Sequence, residues 1–168
     1  KIHGQAQKLR MRPAAFPEVR LAQLAMLMHR SGQLHQKLVE ITSLREIELL
    51  LDVTANDFWH YHYTLQEATP FQPKHIGQHL GRQLIINAFV PLVYAAGVRQ
   101  QQSWLQQRAI SWLEQIPAEQ NSLLRGWQRA GVSMVDAAES QALTELKKCY
   151  CSAKRCLDCE VGKFLLNR

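Results

Sequence analysis

Apolar residues recur along this chain at intervals of three and four rather than two, which is the spacing of helices with one buried face. Leu21, Leu24, Ala25 and Met28 predict a first helix that opens at Pro17, presents that stripe to the core and stops at Gly32. Residues 33–41 continue in helical pattern. Ser43-Leu-Arg-Glu46 then has the form of a capping box and opens a helix reaching about Leu51. The window from Leu84 to Ala96 is apolar nearly all round, so it predicts a central helix buried on most sides, with Asn87 inside it, a kink at Pro91 and an end at Gly97. Leu105, Ala109, Trp112, Leu113 and Ile116 mark the next helix. Pro117 is expected to start another, running to about Gly131 and carrying Trp127 inward. Ser133 to Asp136 caps the last long helix, whose face of Val135, Ala138, Ala142 and Leu146 delivers the chain to Cys149. No strand-like alternation survives, so the expected fold class is all-α: one compact domain over residues 1–168, with roughly seven or eight helices and a C-terminal cysteine-rich loop.

Two stretches interrupt this pattern with chemistry-bearing side chains. Phe58-Trp-His-Tyr-His-Tyr63 is the densest aromatic run; its histidines could ligate a metal and its rings could stack on bases, but a wall of the core explains the same residues. His75 and His79 lie four apart, as if on one helical face. No acidic residue stands between them to act as a base, and Gly77 and Gly81 weaken the helix they need.

Length and composition narrow the class. A chain of 168 residues with 46% hydrophobic residues can bury a sizeable core without staples. No uninterrupted apolar run is long enough to span a bilayer, and no signal-peptide pattern is present, so the expectation is a soluble, cytoplasmic protein without a membrane partner. The chain opens on Lys1, which reads as a fragment of a longer protein. Its formal charge of +6 and pI near 9.4 favour an anionic partner. The excess is local: Arg10, Arg12 and Arg20 gather at one end, and Lys147, Lys148, Lys154 and Arg155 at the other. Those seven side chains are the candidate nucleic-acid contacts, since lysine and arginine release counterions from phosphates when they bind.

All four cysteines, Cys149, Cys151, Cys156 and Cys159, fall within eleven residues. Scattered core packing rarely gives that density, so they are the candidate metal ligands. Cys151-x4-Cys156-x2-Cys159 repeats three positions of a plant-type iron–sulfur spacing, yet the chain ends nine residues after Cys159, leaving only Cys149 as a fourth thiolate. Zinc would need an unusually tight loop or a histidine in place of one thiol. Reduced thiols that merely pack, and disulfides across short loops, are the other readings. The neighbouring cations are expected to lower the thiol pKa values. A redox or nucleophilic enzyme is a weaker reading, because no histidine lies near the cysteines in sequence to serve as base. No catalytic constellation is recognisable.

The ordered motifs Arg12-Pro13-x-x-Phe16-Pro17-x-x-Arg20-Leu-Ala-Gln-Leu-Ala25, Trp59-x-x-His62-Tyr63, Asn87-x-x-x-Pro91-Leu92, Pro117-Ala-Glu-x-Asn121, Ser140-Gln-Ala-Leu143 and Tyr150-Cys-x4-Cys156-Leu-x-Cys159-x-x-Gly162 resemble an uncharacterised bacterial family of unknown function. The resemblance covers most of the chain from Arg10 onward. It implies a longer protein whose N-terminal half is β-rich and nuclease-like, and it implies three closing cysteines, Cys151, Cys156 and Cys159, with no counterpart for Cys149. The expectation that follows is a C-terminal helical module that associates with nucleic acid. The competing expectation is an interaction module that packs on the N-terminal half of the same protein, its thiols reduced and unligated.

Overall fold

A computed structural model of the chain describes residue 12 and residues 15–166. Among these the regular structure is helical, and β-pairing is confined to three isolated bridges, so the chain is all-α. Its contacts fall into two compact units, residues 1–89 and 90–168, divided inside the helical run Gln78–Arg99.

The first unit opens with α1, Pro17–Ser31, which has Pro17 in its first turn and Gly32 just past its end at φ 66. That left-handed conformation suits a residue without Cβ, and the helix stops where the sequence said it should. Its buried face differs from the expected one. Val19, Gln23 and Leu27 point inward, whereas Leu21, Leu24 and Met28 are exposed. The cause is polar: the Gln23 amide donates to the carbonyls of Lys74 at 3.0 Å and His75 at 2.9 Å. Buried carbonyls need donors, and this satisfaction fixes which face turns in. Helices α2, Leu34–Glu40, and α3, Leu44–Leu50, follow. Ser43 accepts the Glu46 N–H and donates to the Glu46 carboxylate at 2.8 Å, while backbone N–H groups of Thr42 and Ser43 also reach that carboxylate and lower its pKa along with Ser43. This is the expected capping box.

After the short α4, Asp57–His60, residues 53–55 pair with 74–76: Ala55 donates to Lys74 and Ile76 to Val53, both at 3.0 Å. His75 is therefore held in extended chain, bridged to Thr54, and Gly77 is also extended before α5, Gln78–Leu84. The expected pair of histidines on one helical face does not exist, because helix begins only after His75. The aromatic run folds onto itself. Phe58 stacks on His62 with centroids 4.0 Å apart and meets Trp59 edge-on, but Phe58 and Tyr61 stay exposed, so the run forms a surface cluster more than a core wall.

Between α5 and α6, Val90–Arg99, residues Ile85–Phe89 form a π-helical segment. Pro91 has no N–H to return to the preceding turn, and a widened turn absorbs that loss without breaking the helix. Asn87 is exposed, not buried, and its amide donates to the Gln83 carbonyl at 3.0 Å. The resulting run Gln78–Arg99 is long and apolar enough to cross a membrane by length and composition alone, and 44% of its most apolar window is buried within the fold.

In the second unit α6 packs on α7, Ser103–Gln115. Gly97 does not end α6. A Cβ there would lie 2.9 Å from both Leu105 Cβ and Gln106 Cγ, so the glycine permits close approach of the two helices. Leu105, Ala109, Trp112 and Ile116 are buried as expected. Pro117 does not start a helix. Ile116 is extended, Ala118 donates to Val135 and Ala137 to Ile116, so this strand-like pairing occupies the backbone groups a first helical turn would use. Helix α8, Ser122–Arg129, starts instead at an Asn121 cap, whose Oδ1 accepts the Leu124 N–H at 2.9 Å. Asp136 caps α9, Ala137–Glu145, through the Glu139 N–H at 2.9 Å. The inward face of α9 is Ala137 and Ser140, with Val135 exposed ahead of it, because the Ser140 hydroxyl accepts the Glu119 N–H and donates to Ala137. A second π-helical segment, Leu146–Cys151, leads to the final α10, Glu160–Leu166.

Candidate functional site

The segment from the second π-helical turn to α10 carries four of the seven candidate cations and all four cysteines. Backbone bonds shape it: Ser152 donates to Lys147, Lys154 to Cys151 and Arg155 to Tyr150, with Lys154 at φ 54 where the chain reverses. The next turn closes through Cys159 N–H to Cys156 carbonyl at 3.3 Å, and Lys163 N–H to Cys159 carbonyl at 2.8 Å starts α10. Gly162 lies against this turn so closely that a Cβ would sit 2.2 Å from the Cys156 carbonyl oxygen. The absence of a side chain at Gly162 is what lets the two backbones meet.

The thiols do not share one environment. Cys159 is buried, while Cys149, Cys151 and Cys156 are exposed. Among the described residues no three histidine, cysteine or acidic side chains come together into a group that could hold a metal ion. The electrostatic expectation is reversed at Cys149. A hydrogen bond with Glu145 raises its pKa, burial and the Glu145 charge add to this, and Arg155 and Lys148 only partly offset it.

The cations divide into engaged and unengaged. Arg155 pairs with Asp158 at 3.0 Å and lies over the Tyr150 ring, and Lys163 pairs with Glu160 at 2.7 Å. Lys147, Lys148 and Lys154 are exposed, and among the described residues no carboxylate pairs with them. At the other end Arg10 lies outside the described residues, and Arg12 is exposed. Arg20 is half-buried, which lowers its pKa, and it donates to Gln23 at 2.8 Å. Its guanidinium thus steadies the amide that holds the Lys74 and His75 carbonyls, a structural task in the first unit.

Sequence reasoning passed over two features. Lys74 is buried at 4% exposure, and among the described residues no carboxylate pairs with it; its ammonium donates to the Gln72 carbonyl at 2.9 Å and lies 3.9 Å from the Tyr63 ring centroid. Tyr63 in turn donates to the Gln72 side chain, so the aromatic run houses a cation. Proline and histidine flank Lys74, and nothing in that context signals burial. The second feature is a groove of about 320 Å³ between α8 and the second π-helical turn, lined by Leu123, Gly126, Trp127, Ala130, Lys147 and Cys151. Residues 123, 126, 127 and 130 do share one helical face, a spacing that the expected Pro117 start obscured.

The model of a protein family of unknown function, DUF2851, matches residues 2–122, more than half of the chain. The chain belongs to this family. The match takes in the first unit and α6 and α7, and stops at the start of α8, so the cysteine-bearing segment lies beyond it. No curated protein and no solved structure matches the chain.

Proposed function

We propose that this DUF2851 chain is a helical accessory module that associates with nucleic acid through its C-terminal segment, as part of a larger nuclease-like protein. The observation that carries the reading is the charge left over between Lys147 and Lys154. Asp158 pairs with Arg155 and Glu160 with Lys163, while Glu145 bonds to the Cys149 thiol, and among the described residues no carboxylate pairs with the three exposed ammonium groups on this hydrogen-bonded turn. Unpaired cations held in fixed register are what a polyphosphate requires. The nuclease-like setting comes from the sequence resemblance alone.

The test is fluorescence anisotropy with a labelled oligonucleotide between roughly 50 and 200 mM salt. Affinity should fall steeply with salt, and Lys147, Lys148 and Lys154 changed together to glutamine should weaken binding across sequences and flatten the slope of log affinity against log salt by about two. Salt-independent binding, or none at the low end, would overturn the reading. Zinc or an iron–sulfur cluster remains a further proposal for the thiols, and it requires Cys149, Cys151 and Cys156 to turn in towards Cys159. Metal analysis of protein purified without oxygen decides it.

A second reading draws on α1, where Leu21, Leu24 and Met28 form an exposed apolar stripe at helical spacing. Such a face suits docking on another folded part, the N-terminal half of the longer protein being the occupant that the resemblance supplies. Apolar docking is insensitive to salt, so the same titration separates the two.

A further inference from the structure

We infer that the groove beside α8 receives an unstacked base of a single-stranded nucleic acid whose phosphates lie on the neighbouring lysines; this rests on the nucleic-acid reading above and gives it a substrate class. The groove's walls come from Leu123 and Trp127 on α8 and Ala130 just past its end, and its lining also includes Lys147 and the exposed Cys151. Its volume of about 320 Å³ is at the small end of ligand pockets. The Trp127 indole N–H is already committed to the Leu143 carbonyl at 3.1 Å, so what Trp127 offers the groove is its apolar ring. A flat aromatic ligand with an anion attached matches an indole beside an ammonium group, and nucleobases stack on aromatic side chains without regard to sequence. A single-headed apolar acid would use Lys147 alone. Lys148 and Lys154, also exposed and paired with no carboxylate among the described residues, continue the charge along the chain, as a repeating phosphate backbone requires.

Gly126 adds an independent observation. It lies within α8, where glycine is less favourable than alanine, yet its backbone is not left-handed and a Cβ built there would meet nothing within 4 Å. Neither backbone conformation nor crowding accounts for a glycine at this point. Its consequence is an open groove floor at the position between Leu123 and Ala130.

The experiment uses the full chain, a short fluorescein-labelled oligothymidylate, and an oligomer of the same length with abasic sites throughout, at roughly 50 mM salt. The chain should bind the abasic strand roughly tenfold more weakly, because the phosphates remain and the stacking is lost. Gly126→Leu, which fills the groove from an exposed position and raises helix propensity, should lower oligothymidylate affinity by a similar factor, leave abasic binding unchanged, and keep the salt slope. Lys147→Gln should weaken both strands. Equal binding of the two strands by the unaltered chain, or a Gly126→Leu variant that matches it, overturns the groove inference while the phosphate reading stands. Binding of neither strand overturns both.

Discussion

Replacing Trp112 with alanine should destabilise the second unit by about 3–5 kcal/mol, measured by denaturant or thermal unfolding. Trp112 is 1% exposed and shares the inward face of α7 with Leu105, Ala109 and Ile116, so the truncation leaves a cavity bounded by fixed helices. Trp112→Phe should recover most of the loss. The indole N–H of Trp112 is buried and has no hydrogen-bond partner among the described residues, so the native ring carries a desolvation penalty of roughly 1–3 kcal/mol that phenylalanine removes along with part of the ring. Arg108 lies 5.3 Å from the Trp112 ring centroid and 4.8 Å from that of Trp104, and a phenyl ring keeps an aromatic face for that cation. If phenylalanine proves as damaging as alanine, the N–H carries an interaction that this packing does not contain. If both variants melt like the parent chain, the register of α7 is wrong.

What the sequence made legible depended on whether apolar side chains alone decided the local geometry. On α7 they did: the residues at helical spacing are the buried ones, and Trp112 follows directly. Helix ends were legible where a small polar side chain or a glycine acts within one turn, as at Ser43 and Gly32, whereas the expected Ser133 box gave way to a cap at Asp136 three residues later. Faces were misread where a polar residue turns inward to satisfy a distant carbonyl or N–H. Gln23 and Ser140 do this across 51 and 21 residues of sequence, and a scan for apolar period cannot detect such a partner. Gly97 and Pro91 were read as punctuation, but tertiary packing used the first for helix contact and a π-helical turn absorbed the second. Trp127 is half-buried where burial was expected, because one side of it faces the groove. At the candidate site, residue identities were visible in the clustering of cysteines and lysines. Which thiol is buried, which carboxylates are taken up and where the groove opens all depend on the fold around them.

Gly162→Ala should free the tail without unfolding the units. The new Cβ would be 2.2 Å from the Cys156 carbonyl oxygen, 2.9 Å from its carbon and 3.0 Å from Cys156 Cα. All three are backbone atoms, so no side-chain rotamer relieves the clash and the whole Cys156–Cys159 turn must move. Ordinary overpacking costs about 1–3 kcal/mol, and a backbone clash this close belongs at or beyond the upper end. Helix α10 buries none of its side chains, whereas the α6–α7 pair has its own core, so the path of least cost is release of the tail. Global melting should then shift little, while Cys159 loses its protection. In the parent chain Cys149, Cys151 and Cys156 are exposed and should alkylate quickly, with Cys159 slow; in the variant Cys159 should react at least tenfold faster and approach Cys156. Peptide mapping of the alkylated cysteines reads each thiol separately. Since the released turn also carries Lys154 and Arg155 out of register, oligonucleotide affinity should fall in the same variant. A Cys159 that stays slow in Gly162→Ala would show that something other than the Cys156 turn covers it.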